Sequence, residues 1–271
     1  MRANPVQTLV DRDGTRIAVT DLGGVGRPVV LLHGLAGSSR ELLPTAFALT
    51  DSFRVLLVDQ RGHGQSTRRP TDLSRGAHVD DVIAVIERFE PHRKVALVGH
   101  SMGAHTAFLV AAARPDLVDR LVMLEGHAAG SDNPGEADAV GDFFASWPSA
   151  FADESEARRF LPNSALSEAW IDDLEPSAGG LRARFDPEVM RGTLAAVHEP
   201  RWHEWEKLAV PTLVVFAEHG MFGLAQRDEL IRRRPETRKA FIPGAGHDAH
   251  LEAFDLWVAT LRGYLDHGHP L

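Results

Sequence analysis

The 271-residue chain contains no cysteine. That removes disulfides, thiolate metal sites and a cysteine nucleophile, and it suits a reducing compartment such as the cytoplasm. No window approaches 18 uninterrupted apolar residues, so a membrane-spanning helix is not expected. The start, Met1-Arg2-Ala3-Asn4-Pro5, leads into Asp11, Arg12 and Asp13 without an apolar stretch, so no signal peptide is expected. A basic surplus is also missing. The formal net charge is −9, the reverse of what a nucleic-acid partner requires. With 44% hydrophobic and 25% charged residues, the composition is that of a globular protein. A chain this long buries roughly 75% of the surface it exposes when unfolded, so it needs no metal staple.

Short apolar runs recur along the chain: Pro28–Leu32, Phe53–Val58, Lys94–Val98, Arg120–Leu124, Pro211–Phe216 and Lys239–Ile242. They lack polar alternation, as strands of a parallel sheet buried on both faces do. Helical stretches lie between them. Asp80–Phe89 opens on carboxylates and stops before Pro91; Met102–Arg114 stops before Pro115; Leu251–Leu265 carries one apolar face. Val6–Val10 and Arg16–Thr20, joined by Asp13-Gly14, read as an antiparallel pair. The alternation predicts a doubly wound α/β sheet. Residues 126–207 break the rhythm with four of the five tryptophans and six prolines, and they read as a helical insertion. Arg232-Arg233-Arg234, beside Asp228, Glu229 and Glu236, reads as a solvated helix face. His198 and His203 flank Glu199 and Glu204, but without convergence they predict no metal site.

Four strand ends carry residues with chemistry. Gly99-His100-Ser101-Met102-Gly103 follows one apolar run and opens a helix. A strand-to-helix turn so tight needs small residues around a strained serine, and the helix start aims N–H groups at the reacting centre. Ser101 is therefore the candidate nucleophile. His33-Gly34-Leu35-Ala36-Gly37 ends another run, where the Leu35 N–H, with that of Met102, can receive an oxyanion beside Gly34. Asp59-Gln60-Arg61-Gly62-His63-Gly64-Gln65-Ser66 suits a loop stitched by hydrogen bonds. Gly244-Ala245-Gly246-His247 follows the last run, making His247 the natural base, with His250 its local competitor.

In this order and at these strand ends, HGLAG, DQRGHGQS, GHSMG and GAGH resemble the α/β-hydrolase superfamily over nearly the whole chain. The resemblance implies a mostly parallel eight-stranded sheet flanked by helices, with a helical cap inserted after strand six. The core would then be 1–125 with 208–271, and the cap 126–207. It implies a Ser…acid…His order and no metal or organic cofactor. The family's acid usually sits in a G-x-x-D pattern after strand seven, but here that segment reads Ala217-Glu218-His219-Gly220-Met221, with Gly220 in the aspartate's place. Haloalkane dehalogenases and fungal zearalenone lactonases instead carry the acid at the end of strand six, where this chain has Glu125. Glu125 is the expected acid and Glu218 its rival.

An aspartate nucleophile serves haloalkane dehalogenases and epoxide hydrolases, so Ser101 speaks against both activities. The expected function is a serine esterase or lactonase for a small to medium, partly apolar substrate bound near Phe143, Phe144, Trp147 and Trp170. A non-catalytic small-molecule receptor, a cofactor-free dioxygenase and a C–C bond hydrolase stay open as alternatives. The expected partner is a small molecule alone, with neither nucleic acid nor membrane.

Overall fold

The computed structural model describes residues 5–131, 133 and 135–267. The first four residues of the signal-peptide reading, Met1–Asn4, lie outside them. In chain order the elements are β1 (Val6–Arg12), β2 (Thr15–Asp21), β3 (Arg27–Leu32), α1 (Leu43–Leu49), β4 (Phe53–Asp59), α2 (Arg75–Phe89), β5 (Val95–His100), α3 (Met102–Ala113) and β6 (Val118–Leu124). There follow α4 (Glu136–Ala145), α5 (Glu154–Phe160), α6 (Ala165–Asp172), β7 (Glu175–Ser177), β8 (Gly180–Arg182), α7 (Pro187–Val197) and α8 (Trp202–Glu206). The chain closes with β9 (Thr212–His219), α9 (Leu224–Arg233), β10 (Arg238–Gly246), α10 (Ala249–Glu252) and α11 (Phe254–His267).

Eight strands form one sheet in the order β1-β2-β4-β3-β5-β6-β9-β10. The first two junctions are antiparallel and the rest parallel. Both faces of the central strands are covered, which is why their sequences run apolar without alternation. Val30, Leu32, Leu56, Val58, Leu121 and Met123 pack toward α2 and α3. Their neighbours Val29, Leu31, Val55, Leu57, Val122 and Leu124 pack toward α1 and α11. Each such fully buried side chain contributes about 1.5–3 kcal/mol. Among the described residues no helix is long and apolar enough to cross a membrane.

Local chemistry sets the ends of the elements. The helix predicted from Asp80 begins at Arg75, because the Ser74 hydroxyl caps it by accepting the Ala77 N–H. The predicted C-terminal helix is interrupted at Ala253, whose backbone (φ −131°, ψ 52°) leaves the helical region. Between β6 and β9 the segment is mainly helical but also holds the β7–β8 hairpin, which its prolines and aromatics did not announce. In the arginine run, Arg232 is exposed, whereas Arg234 is buried and donates to the Leu208 and Val210 carbonyls.

Candidate active site

The residues singled out at the strand ends converge on one edge of the parallel sheet. Ser101 stands between β5 and α3 at φ 53°, ψ −118°, a conformation that costs an L-residue of order 1–3 kcal/mol. The flanking glycines exist because backbone passes too close for any Cβ. One on Gly99 would lie 2.2 Å from the Gly103 carbonyl oxygen, and one on Gly103 would lie 2.3 Å from that of Leu32. Ala36 and Glu125 also have positive φ (58° and 48°), so strained residues follow β3, β5 and β6 side by side.

Glu125 is almost wholly buried. Its Oε1 accepts the Ala217 N–H and its Oε2 the Met221 N–H, both at 2.8 Å, while Oε2 lies 3.5 Å from His247 Nδ1. Burial works to raise its pKa, but His247 and the two N–H donors outweigh that, and the carboxyl stays below its ordinary range. Gly220 sits directly against this carboxylate: a Cβ there would lie 2.3 Å from both oxygens. The space in which a side chain at 220 would start is filled by the side chain at 125. Glu218, by contrast, is exposed, and its Oε2 accepts the Gly244 N–H at 2.8 Å.

Ser101 and Glu125 line a cavity of about 360 Å³, together with Leu35 and Met102. Among the described residues no backbone acceptor takes the N–H of Leu35 or Met102. Gly34 lies behind the nucleophile, where a Cβ would stand 3.5 Å from the Ser101 Cβ and 3.0 Å from His100 Nδ1. The outer wall comes from Leu194, Val197, Met221 and Phe222, with Ser131, Glu136, His198 and Gln226 as polar groups. His127 lines it too. Its Nε2 donates to the Gln226 carbonyl while Nδ1 accepts the Ala129 N–H, and burial lowers its pKa, so the ring is a neutral wall.

Phe143, Phe144, Trp147 and Trp170 are not among the residues lining this cavity. They pack on one another instead, with ring centroids 5.2–6.4 Å apart, and Phe144 meets Phe185 at 4.7 Å. Phe144, Trp147 and Trp170 join Phe151, Val189 and Met190 in a core of their own, whereas Phe143 stays exposed at its edge. A layer of short helices has to bury its aromatics to hold together, and that demand takes Phe144, Trp147 and Trp170.

Behind His247 lies a buried cluster that sequence reasoning missed. Glu41 Oε1 is 2.8 Å from His250 Nε2 and 3.6 Å from His100 Nδ1. Burial opposes ionisation of Glu41, yet the two histidines outweigh it and hold its pKa well below the usual range. His100 Nε2 in turn bonds the His247 carbonyl at 3.0 Å, tying the loop that carries His247 to the residue before Ser101. His250 is therefore a partner of Glu41, closed off from the cavity. The local sequence around Glu41 carries no motif, so only the fold reveals this contact 209 positions away. Among the described residues, two triplets have ligand atoms close enough to share an ion: Glu41, His100 and His250, and His100, His247 and Asp248. In the first, hydrogen bonding already joins carboxylate and imidazole. His198 and His203 belong to neither. His33 is a scaffold residue, its Nε2 accepting the Gln60 N–H at 3.0 Å. The loop after β4 is stitched as expected by Asp59 to Ser39 and Gln65 and by Arg61 to Asp81.

Comparison with known proteins bears on the fold. Residues 27–254 match the sequence profile described as alpha/beta hydrolase fold. The mouse sn-1-specific diacylglycerol lipase ABHD11 is 32% identical over 251 residues, covering 88% of this chain and 80% of that protein. Esterase YbfF of Escherichia coli is 27% identical over 258 residues, with coverage of 88% and 93%. The crystal structure of an E-2-(acetamidomethylene)succinate hydrolase superposes with a TM-score of 0.86 at 24% identity, covering 97% of this chain and all of that one.

Proposed function

The chain belongs to the α/β-hydrolase fold family, and from that premise we propose that it is a serine hydrolase cleaving an ester or lactone of a small to medium, partly apolar substrate. One observation carries the reading. The Glu125 carboxylate, gripped by two N–H groups, lies 3.5 Å from His247 Nδ1 and lines the same cavity as the strained Ser101. A buried carboxylate close to an imidazole, on the same cavity as a strained, half-buried serine, supports an acyl-transfer reading.

In this reading Ser101 Oγ attacks the substrate carbonyl carbon while His247 takes its proton. Glu125 holds the ring with Nδ1 protonated and stabilises the imidazolium that forms. The Leu35 and Met102 N–H groups receive the oxyanion, each worth about 2.7–4 kcal/mol of barrier. The ester oxygen leaves with the proton from His247. Water, deprotonated by the same ring, then releases the acid from Ser101. A cavity of about 360 Å³ suits a compact acyl group, and the absence of cysteine suits work in the cytoplasm.

The test is acid release, followed by pH-stat, from a panel of short esters, long esters and lactones, with fluorophosphonate labelling beside it. Hydrolysis and labelling should both vanish in Ser101→Ala. Hydrolysis that survives the substitution overturns the proposal.

A further inference from the structure

The sheet alone does not bring His247 to Ser101. β10, which leads into His247, is separated from β5, which leads into Ser101, by β6 and β9. Three strand spacings amount to about 14 Å. The loop after β10 therefore has to be drawn back across the ends of β9 and β6.

The polar contacts that draw it back meet on one buried carboxylate. Glu41 Oε1 accepts the His250 Nε2 proton at 2.8 Å, which anchors the chain just beyond His247. The same oxygen lies 3.6 Å from His100 Nδ1. A carbonyl only accepts, so His100 Nε2 carries the proton that it donates to the His247 carbonyl at 3.0 Å. The other Glu41 oxygen lies under the oxyanion loop, for a Cβ on Gly37 would stand 2.2 Å from Oε2. The His100 ring underlies the same loop, with Nδ1 3.0 Å from where a Cβ on Gly34 would be. The loops after β3, β5 and β10 thus come together on Glu41 and the imidazole beside it.

Such a cluster is a poor way to hold a fold together. The Glu41 side chain is 4% exposed, and among the described residues no arginine or lysine pairs with it. Stripping a carboxylate of water is costly, and apolar side chains of similar volume stabilise a core at least as well. What apolar packing lacks is direction. Hydrogen bonds fix the distance and angle of the groups that they join.

We propose that Glu41 is a positioning residue of the active site, which through His250 and His100 sets the place of His247 relative to Ser101 and the oxyanion loop, on the premise that Ser101 and His247 carry the hydrolysis proposed above.

The test is kcat per active site on a substrate whose hydrolysis depends on Ser101, with sites counted by fluorophosphonate labelling so that unfolded protein drops out. Glu41→Met is close in volume but has no oxygen to accept the His250 proton. It should lower kcat per site about 10- to 100-fold, as a misplacement of about 1 Å does, and leave KM within about threefold. Glu41→Gln, whose amide oxygen still accepts from His250, should recover most of the loss. His100→Ala cuts the path beyond Glu41 and should show the same fall, including where Glu41→Met does not fold. A purely structural Glu41 would lower Tm and the number of labelled sites while kcat per site stayed at the wild-type value. That result overturns the proposal, as does a Glu41→Gln enzyme no better than Glu41→Met.

A second readout needs no turnover. In long-range ¹H–¹⁵N spectra the His247 ring, identified by the loss of its signals in His247→Asn, should shift in Glu41→Met and His100→Ala and keep its place in Glu41→Gln. A wild type that hydrolyses and labels nothing would remove the hydrolase reading, and the ring signals would still decide the positioning. A His247 ring unmoved in both Glu41→Met and His100→Ala overturns it whatever the activity.

Discussion

Replacing Gly220 tests the assignment of the acid without touching any proposed catalytic side chain. Its new Cβ in Gly220→Ala would stand 2.3 Å from both Glu125 oxygens, far inside van der Waals contact. The carboxylate has to leave, and with it go two 2.8 Å hydrogen bonds and the 3.5 Å approach to His247. Each hydrogen bond to a charged group is worth about 1.5–3 kcal/mol. Losing a triad carboxylate altogether lowers kcat about 10⁴-fold, or about 5.5 kcal/mol of barrier. Gly220→Ala should therefore lower kcat by 10² to 10⁴, with Glu125→Ala at the upper end. Glu125→Ala with Gly220→Asp should recover part of the loss, since the second change returns a carboxylate to the emptied space. The assay is kcat on any substrate whose hydrolysis depends on Ser101, with the near-ultraviolet spectrum confirming the fold. Wild-type kcat in Gly220→Ala, or a Glu125→Ala enzyme that Glu218→Ala then silences, would refute the reasoning.

Glu218→Ala alone should leave kcat within about threefold, because that side chain is exposed and bonds only the Gly244 N–H; a loss like that of Glu125→Ala would reverse the assignment. Trp147→Ala should cost about 3–5 kcal/mol of stability in urea unfolding and leave KM nearly unchanged, since the ring is packed among Phe144, Trp170 and Phe185 away from the cavity. A rise in KM with little loss of stability would return the ring to the substrate. Burial raises the Asp173 pKa to about 7 from 3.8, against Ser38, Arg184 and Arg40, so the folded chain keeps a proton that the unfolded chain has released. Stability should fall as pH rises from about 4 to 7, by about 4 kcal/mol at most, and level off above. Urea unfolding at pH 5 and pH 8 should show that slope shrink in Asp173→Asn; an unchanged slope would remove the group from the account.

What the sequence made legible follows from where the physics is local. A strand buried on both faces must read as a short apolar run, so all six runs became parallel strands. The glycines at 99 and 103 announce close backbone approaches, and these leave a signature within five residues. Helix starts depend on one capping hydroxyl, and Ser74, with no apolar periodicity after it to attract notice, moved a boundary by five positions. The aromatics between β6 and β9 misled for a different reason. Composition says that Trp147 and Trp170 need apolar surroundings but not whose, and a separate core within that segment claimed them. His127 and Glu136, polar and unremarkable in the sequence, stand at the cavity instead.

The acid shows how an absence in one place and a residue in another form a single statement. Gly220 by itself looks like a lost carboxylate, and Glu125 by itself looks like a helix-linker acid. Parallel pairing of β6 with β9 sets the ends of the two strands side by side, so one carboxylate can serve from either end but two cannot fit. A glutamate has one methylene more than an aspartate, and from φ 48° at Glu125 it reaches across to the Ala217 and Met221 N–H groups. The glycine is then the steric condition for the glutamate. On this argument any larger residue at 220 has to be accompanied by a shorter one at 125, and the paired substitutions above are its direct test.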